Sequence, residues 1–237
     1  MARKRKPKKK PKSRRWLKRI ALAGLGFVVL SVALVLPLRW LEPMTTAFML
    51  QDDSGVDPLR HEWVAWDDLG TTAALAMVAS EDQRFADHFG LDLAAILKAV
   101  DEKSERGYLR GGSTISQQTA KNLFLWRGRS FVRKGLEAWL TLVMEACLPK
   151  RRILELYLNI AEFGPGIYGV GAASQYYFGR PPARMSDCEA ALLAAVLPNP
   201  NQLHVNAPSD YVRDRQAWIV TQIARLRREG WMTRLEP

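Results

Sequence analysis

The stretch KRRILELYLNIAEFG, Lys150 to Gly164, reads as an amphipathic helix. At helical spacing Arg151, Glu155, Asn159 and Glu162 share one stripe, while Ile153, Leu154, Leu156, Tyr157 and Ile160 spread over the apolar remainder. Glu155 therefore faces a polar seam, where a surface pair with Arg151 one turn back is its simplest structural use. The same habit extends along the chain in both directions. Thr71 to Ser80, Asp92 to Arg106, Phe131 to Cys147, Arg151 to Glu162, Asp187 to Leu197 and Asp210 to Glu229 all carry helical patterning, with Gly or Pro nearby to stop them. Period-two alternation is nearly absent, so the fold class is mainly α.

Upstream of the first of these helices, residues 41–70 form a polar, Trp-containing connector rich in Asp, Pro and Gly, expected to be irregular. Before it, Ile20 to Leu38 runs nineteen residues without a charge, about 28 Å of helix at 1.5 Å per residue, which crosses a bilayer core. Trp16 and Trp40 flank that run as interfacial aromatics do. The run is too long for a signal peptide and lacks a small-residue cleavage site, so it reads as an uncleaved anchor. The net charge of +11 is local: residues 1–19 hold twelve of the 35 Lys and Arg and no acid, leaving 23 basic against 24 acidic groups elsewhere. The rest of the chain is not a basic surface, which excludes a nucleic-acid binder, and the arm stays cytoplasmic by the positive-inside bias. The expected organisation is a basic arm over 1–19, an anchor over 20–40, the connector over 41–70 and one domain over 71–237. Cys147 and Cys188 read as two buried free thiols, and His61, His88 and His204 have no metal-ligand spacing.

Three further stretches carry chemistry. In SEDQRFADHFG, Ser80 to Gly90, Glu81 ends an apolar helix beside Asp82. The negative end of the helix and the neighbouring carboxylate both raise its pKa, which suits a general base, although an ordinary acidic helix end has the same composition. RGGSTISQQTAKN, Arg110 to Asn122, offers two glycines and then Ser113, Thr114, Ser116, Gln117 and Gln118, a dense hydrogen-bonding set for sugars or phosphates. It lacks the spacing of a P-loop, and its bland alternative is a polar turn starting a helix. Between Lys121 and Lys134, Arg127, Arg129 and Arg133 interleave with Leu123, Phe124, Leu125 and Trp126. Next to a bilayer, such a segment holds a phosphorylated headgroup while its apolar residues enter the interface.

In order along the chain, ED-x-x-F-x-x-H-x-G from Glu81, GGSTISQQ from Gly111, RK-x-x-E from Arg133 to Glu137 and ILE-x-YLN from Ile153 resemble the peptidoglycan glycosyltransferase family. That family includes the N-terminal domains of class A penicillin-binding proteins and the monofunctional biosynthetic transglycosylases. GIYGVGAAS, Gly166 to Ser174, and EAALLAAVLPNP, Glu189 to Pro200, extend the match over roughly residues 60–200. Ser116 stands where the family usually has Thr, a swap that keeps the hydroxyl.

The resemblance implies a lysozyme-like glycosyltransferase head with a small membrane-contacting jaw subdomain. It further implies polymerisation of lipid II into β-1,4-linked glycan strands with inversion and release of undecaprenyl pyrophosphate, on the outer face of a bacterial inner membrane. Glu81 matches the family's general base and Glu155 the second glutamate, expected to assist the leaving group. Ser113, Gln117, Lys121, Arg129, Arg133 and Lys134 match substrate- or pyrophosphate-binding positions. The implied partners are lipid II, the growing strand and the membrane, with other wall-synthesis proteins as candidates. No cofactor is required and no metal cage is visible; Mg2+ or Mn2+ would be held by the substrate's phosphates. The chain has no S-x-x-K and no KTG, so transpeptidase activity is not expected. A lysozyme-like hydrolase or lytic transglycosylase also uses sugars and a glutamate, but a neutral glycan leaving group needs no phosphate clamp. A catalytically silent scaffold is the remaining alternative, and the presence of both Glu81 and Glu155 argues against it.

Overall fold

A computed structural model describes residues 12–92 and 112–235, with side-chain environments from residue 16 onward. The described helices are α1 (Lys12–Val35), α2 (Trp66–Leu69), α3 (Thr71–Glu81), α4 (Ile115–Phe124), α5 (Phe131–Cys147), α6 (Lys150–Ile160), α7 (Val170–Phe178), α8 (Asp187–Val196) and α9 (Asp210–Arg228). Most of the helix expected from Asp92 to Arg106 lies outside the described residues. The chain is mainly helical, as its periodicity requires.

α3 is the buried centre, with every residue from Ala73 to Ala79 inaccessible. Four of those seven are alanines, and α8 meets them with Ala190, Ala191, Ala194 and Ala195. Small side chains let the helices approach closely, and α9 closes the group with Val212, Ile219, Ile223 and Leu226. α4 packs on both α5 and α6, forming the other half of the head. Serine caps set several helix starts: Ser130, Ser186 and Ser209 accept backbone N–H bonds at the beginnings of α5, α8 and α9.

The connector belongs to the head. Its β1 (Arg60–His61) pairs in parallel with β3 (Ile167–Tyr168), which pairs antiparallel with β2 (Glu162–Gly164). Asn159 of α6 holds the connector like a missing strand partner, its amide donating to Val64 O at 2.9 Å while its oxygen accepts from Val64 N at 2.8 Å. Gly169, at φ +81°, lets the chain leaving β3 pass close to the end of α6, since a Cβ there would lie 2.5 Å from Asn159 O. α6 stops at Ile160, two residues before the expected Glu162, which instead opens β2.

The 24-residue segment Trp16–Arg39 is long and apolar enough to cross a membrane. Its far end is welded to the head. Trp139 Nε1 donates to Ser31 Oγ at 3.0 Å, the Phe27 and Trp139 rings sit 5.5 Å apart, and Val35 is fully buried. Arg39 then donates to Cys147 O at 3.1 Å, at the C-terminus of α5. Cys147 is half-buried and Cys188 exposed, both free, which corrects the expectation of two buried thiols. Cys188 lies in the first turn of α8, away from the face that its alanines present to α3.

Candidate active site

Glu81 is the last residue of α3, where the buried apolar helix meets an open cleft of about 300 Å³ lined also by Asp82, Ser113 and Thr114. Its Oε2 accepts from Gln118 Nε2 at 2.7 Å and its Oε1 from Ser80 Oγ at 3.2 Å. Burial pushes this carboxyl above the usual range, against the opposing pull of those two donors and the charges of Arg215 and Lys121. The expected direction holds, but its main cause is desolvation rather than a repelling Asp82.

Asp82 is instead a clamp. Its carboxylate accepts from Ile115 N at 3.1 Å and from His88 Nε2 at 3.0 Å, so it caps the start of α4 and fixes that helix against α3. Thr114 and Gln117 complete the start as a capping box: Gln117 N donates to Thr114 Oγ1 at 3.1 Å and Thr114 N to Gln117 Oε1 at 3.0 Å. Gln117 is consequently buried in the cap, while Gln118, one position on, reaches Glu81. Ser116 is also turned inward, donating to Glu145.

Lys121 stands one turn beyond Gln118 on α4. Burial lowers its pKa first; Glu137 and Glu81 oppose that effect, while Arg133 and Lys134 reinforce it. Lys121 is thus the electrostatic junction between Glu81 and the first turns of α5. There, Arg133 Nη1 donates to Glu137 Oε2 at 3.0 Å, and Lys134 bonds both Glu137 and Ser113 Oγ, the latter at 3.3 Å. Arg129 is exposed on the preceding loop and makes no ion pair among the described residues. The structure therefore brings Glu81, Ser113, Lys121, Arg133 and Lys134 together, setting a carboxylate whose pKa is raised beside a patch of cations.

A family model for transglycosylases matches residues 50–224. A biosynthetic peptidoglycan transglycosylase of Stutzerimonas stutzeri is 47% identical, covering 94% of this chain and 95% of its own length. Those of Marinomonas sp. and Pseudomonas aeruginosa are 51% and 46% identical, over 88% and 90% of this chain and 91% and 94% of their own lengths. The chain belongs to the transglycosylase family. Membership brings glycosyltransferase chemistry in cell-wall peptidoglycan synthesis, and the lysozyme-like helical head and an N-terminal helix long and apolar enough to span a membrane accompany it.

One transglycosylase position departs from its expected role. Glu155 does not face the cation patch: its Oε1 accepts from Trp66 N at 2.9 Å and its Oε2 from Arg152 Nη1 at 2.7 Å. Arg152 also donates to Leu38 O and Leu41 O, at 2.7 and 2.8 Å, so Glu155 braces the exit of the anchor against α2. The anticipated Arg151 pair is replaced as well, because Arg151 reaches Asp67 at 2.8 Å and stacks on Trp66. The carboxylate that shares the field of Lys121 with Glu81 is Glu137, which lay unassigned within the RK-x-x-E block. Its spacing of three and four residues from Lys134 and Arg133 was the available signal.

Sequence reading also missed a second polar network in this transglycosylase. Arg127 donates to Glu162 at 3.0 Å and to Tyr168 Oη at 2.8 Å, and Tyr168 donates to Asp52 at 2.6 Å. Phe48 lies under both Arg127 and Lys121, each 5.0 Å from its ring centroid. The network ties the basic loop to the connector and the sheet. Among the described residues, no three His, Cys, Asp or Glu side chains gather as a metal cage.

Proposed function

We propose that this protein joins lipid II units into β-1,4-linked glycan with inversion, using Glu81 as the general base. The 4-hydroxyl oxygen of the acceptor sugar attacks the anomeric carbon of the donor as Glu81 takes its proton. The bond from that carbon to the pyrophosphate oxygen breaks, and the lipid pyrophosphate leaves with the electron pair. A single displacement on the face opposite the leaving group inverts the anomeric centre. Pyrophosphate is already a good leaving group, so the site needs positive charge on that side rather than a strong acid.

The observation that carries this reading is the pairing of a carboxylate kept basic by burial with the Lys121, Arg133 and Lys134 patch. Arg129, exposed on the loop ahead of α5, would add a further cation for the phosphates. A glycan hydrolase has no use for such a patch. Residues 1–237 hold neither S-x-x-K nor KTG, which supports polymerisation without cross-linking. A divalent ion, where one takes part, would bind through the substrate's phosphates. The basic arm supports a cytoplasmic N-terminus, with the head on the outer side of the inner membrane and other wall-synthesis proteins as candidate partners.

The test is to incubate detergent-solubilised protein with labelled lipid-linked disaccharide-pentapeptide and separate the products by size. A ladder of glycan chains with release of lipid pyrophosphate is expected. Absence of a ladder, with cleavage of preformed glycan, would overturn the proposal in favour of a hydrolase.

A further inference from the structure

We propose that Tyr157 and Gln118 form a positioning pair that holds the Glu81 carboxylate in the orientation from which it receives the acceptor's proton. The inference rests on the reading of Glu81 as the base and assigns it two supporting residues on two other helices.

The geometry is a three-member chain. Tyr157, on α6 and 1% exposed, donates its hydroxyl to Gln118 Oε1 at 3.4 Å. Gln118, half-buried on α4, donates from Nε2 to Glu81 Oε2 at 2.7 Å. A carboxylate offers only acceptors, so the amide must turn its NH2 group toward Glu81. That leaves the amide oxygen facing α6, where Tyr157 supplies the O–H it needs. Reversing the amide would set oxygen against carboxylate and lose the bond to Glu81, while the phenol oxygen would become the acceptor of the NH2 group. Tyr157 thereby gives the amide a second fixed point besides Glu81.

The phenol is suited to this task because it stays a donor. Burial, with the nearby negative charges of Glu81 and Asp82, pushes its ionisation well above the ordinary tyrosine range. The other titratable groups around Glu81 come from separate elements: Lys121 on α4, Arg215 on α9 and the sequence neighbour Asp82 with its partner His88. Arg215 does not bond Glu81; it donates to Ser80 O at 2.8 Å and stacks on Trp218. Gln118 is thus the amide donor to the base, and the phenolic ring of Tyr157 would fill the same core volume as phenylalanine if its hydroxyl had no further role.

The experiment compares full-length Tyr157→Phe, Gln118→Met and Glu81→Gln proteins with the parent on lipid-linked disaccharide, reading kcat, KM, melting temperature and the pH profile of kcat/KM. Gln118→Met keeps the length of the side chain and removes the donor, so the acid limb should move up by roughly one pH unit, with kcat reduced about tenfold. Tyr157→Phe should lower kcat several-fold, leave KM within about twofold and move the limb in the same direction by less. Unchanged kcat and unchanged limbs in both variants would overturn the pair. Should Tyr157→Phe fail to fold, Gln118→Met, altered at the cleft edge, carries the test alone. Glu81→Gln separates the two levels: if it remains active, the base assignment fails, whereas an inactive Glu81→Gln beside normal Gln118 and Tyr157 variants removes only the positioning role.

Discussion

Glu81 and Glu155 are both half-buried glutamates on helices of the same head, and their surroundings give them opposite uses. Glu81 has neutral donors on its two oxygens, Gln118 and Ser80, and borders an open cleft. Glu155 has a backbone N–H on one oxygen and a guanidinium on the other, and that guanidinium is shared with two carbonyls at the end of the anchor. A carboxylate bonded to a guanidinium and a backbone N–H is already committed as a brace. One whose oxygens meet neutral donors, where burial disfavours its charge, is disposed to take a proton. The contrast shows that residue type and helical stripe nominate a carboxylate, whereas the occupancy of its oxygens decides its role.

The largest effect expected from this contrast is that of Glu81→Gln. Turnover should fall by about 10² to 10⁴, the range attributable to a positioned base. Stability should move the other way. The folded-state pKa of Glu81 is raised above its ordinary value, so the protonated form is favoured in the fold. The associated stability is present at low pH and lost as pH rises through that folded-state pKa. At neutral pH the ionised carboxylate weakens the fold, and Gln118 and Ser80 only partly compensate. Glu81→Gln should therefore melt at a higher temperature than the parent near pH 7, with the gap narrowing as pH falls. Parent activity should also decline on acidification at a pH above the ordinary glutamate range. A melting temperature that drops together with turnover would show that the side chain supports the fold instead.

Glu137 falls between the two extremes. It is buried like a structural residue, yet its ion pairs hold Arg133 and Lys134 beside Lys121. Glu137→Ala leaves the well-covered Arg133 without its partner, which should cost about 3 kcal/mol of stability. It should also reduce turnover by roughly tenfold to a hundredfold, because misplaced cations no longer meet the leaving phosphates. Calorimetry and turnover at several salt concentrations check both. Full turnover with intact stability would mean that the cations hold their places without it.

The helices of the transglycosylase head were legible wherever periodicity and caps agreed. Phe131–Cys147 has both predicted ends, with Ser130 capping its start, and α3 runs one residue beyond the expected Ser80. β1 was not legible, since a two-residue strand has no alternation to detect and its partner lies over a hundred positions away. The basic patch could be read because its charges cluster in sequence. Gln117 and Gln118 were harder to separate, as adjacent helical positions differ by only about 100° in direction. The Thr114-x-x-Gln117 pattern was nevertheless a capping-box signal that assigns Gln117 to the helix start. Glu155 was misread because its partners are tertiary. The wheel offers Arg151, but Asp67 and Trp66 capture Arg151, and Arg152 takes its place.

The smallest catalytic effect is expected from Glu155→Gln, which makes it the sharpest test of the contrast. A glutamine there cannot satisfy both existing partners in full. If its oxygen keeps the bond from Trp66 N, its NH2 group faces the Arg152 guanidinium; if its oxygen turns to Arg152, the start of α2 loses its acceptor. Either arrangement should cost about 2 kcal/mol, since a bond to a charged group is lost in a mostly covered site. For a chain of this size that corresponds to a melting-temperature drop of roughly 4 to 8 °C. The weakened joint is the one between the anchor exit and the connector, remote from the cations that share the field of Glu81. Turnover per folded molecule should accordingly stay within about twofold of the parent. Paired measurements of melting temperature and turnover decide the matter, because a hundredfold loss of turnover at an unchanged melting temperature would return Glu155 to the chemistry and leave the brace without a role.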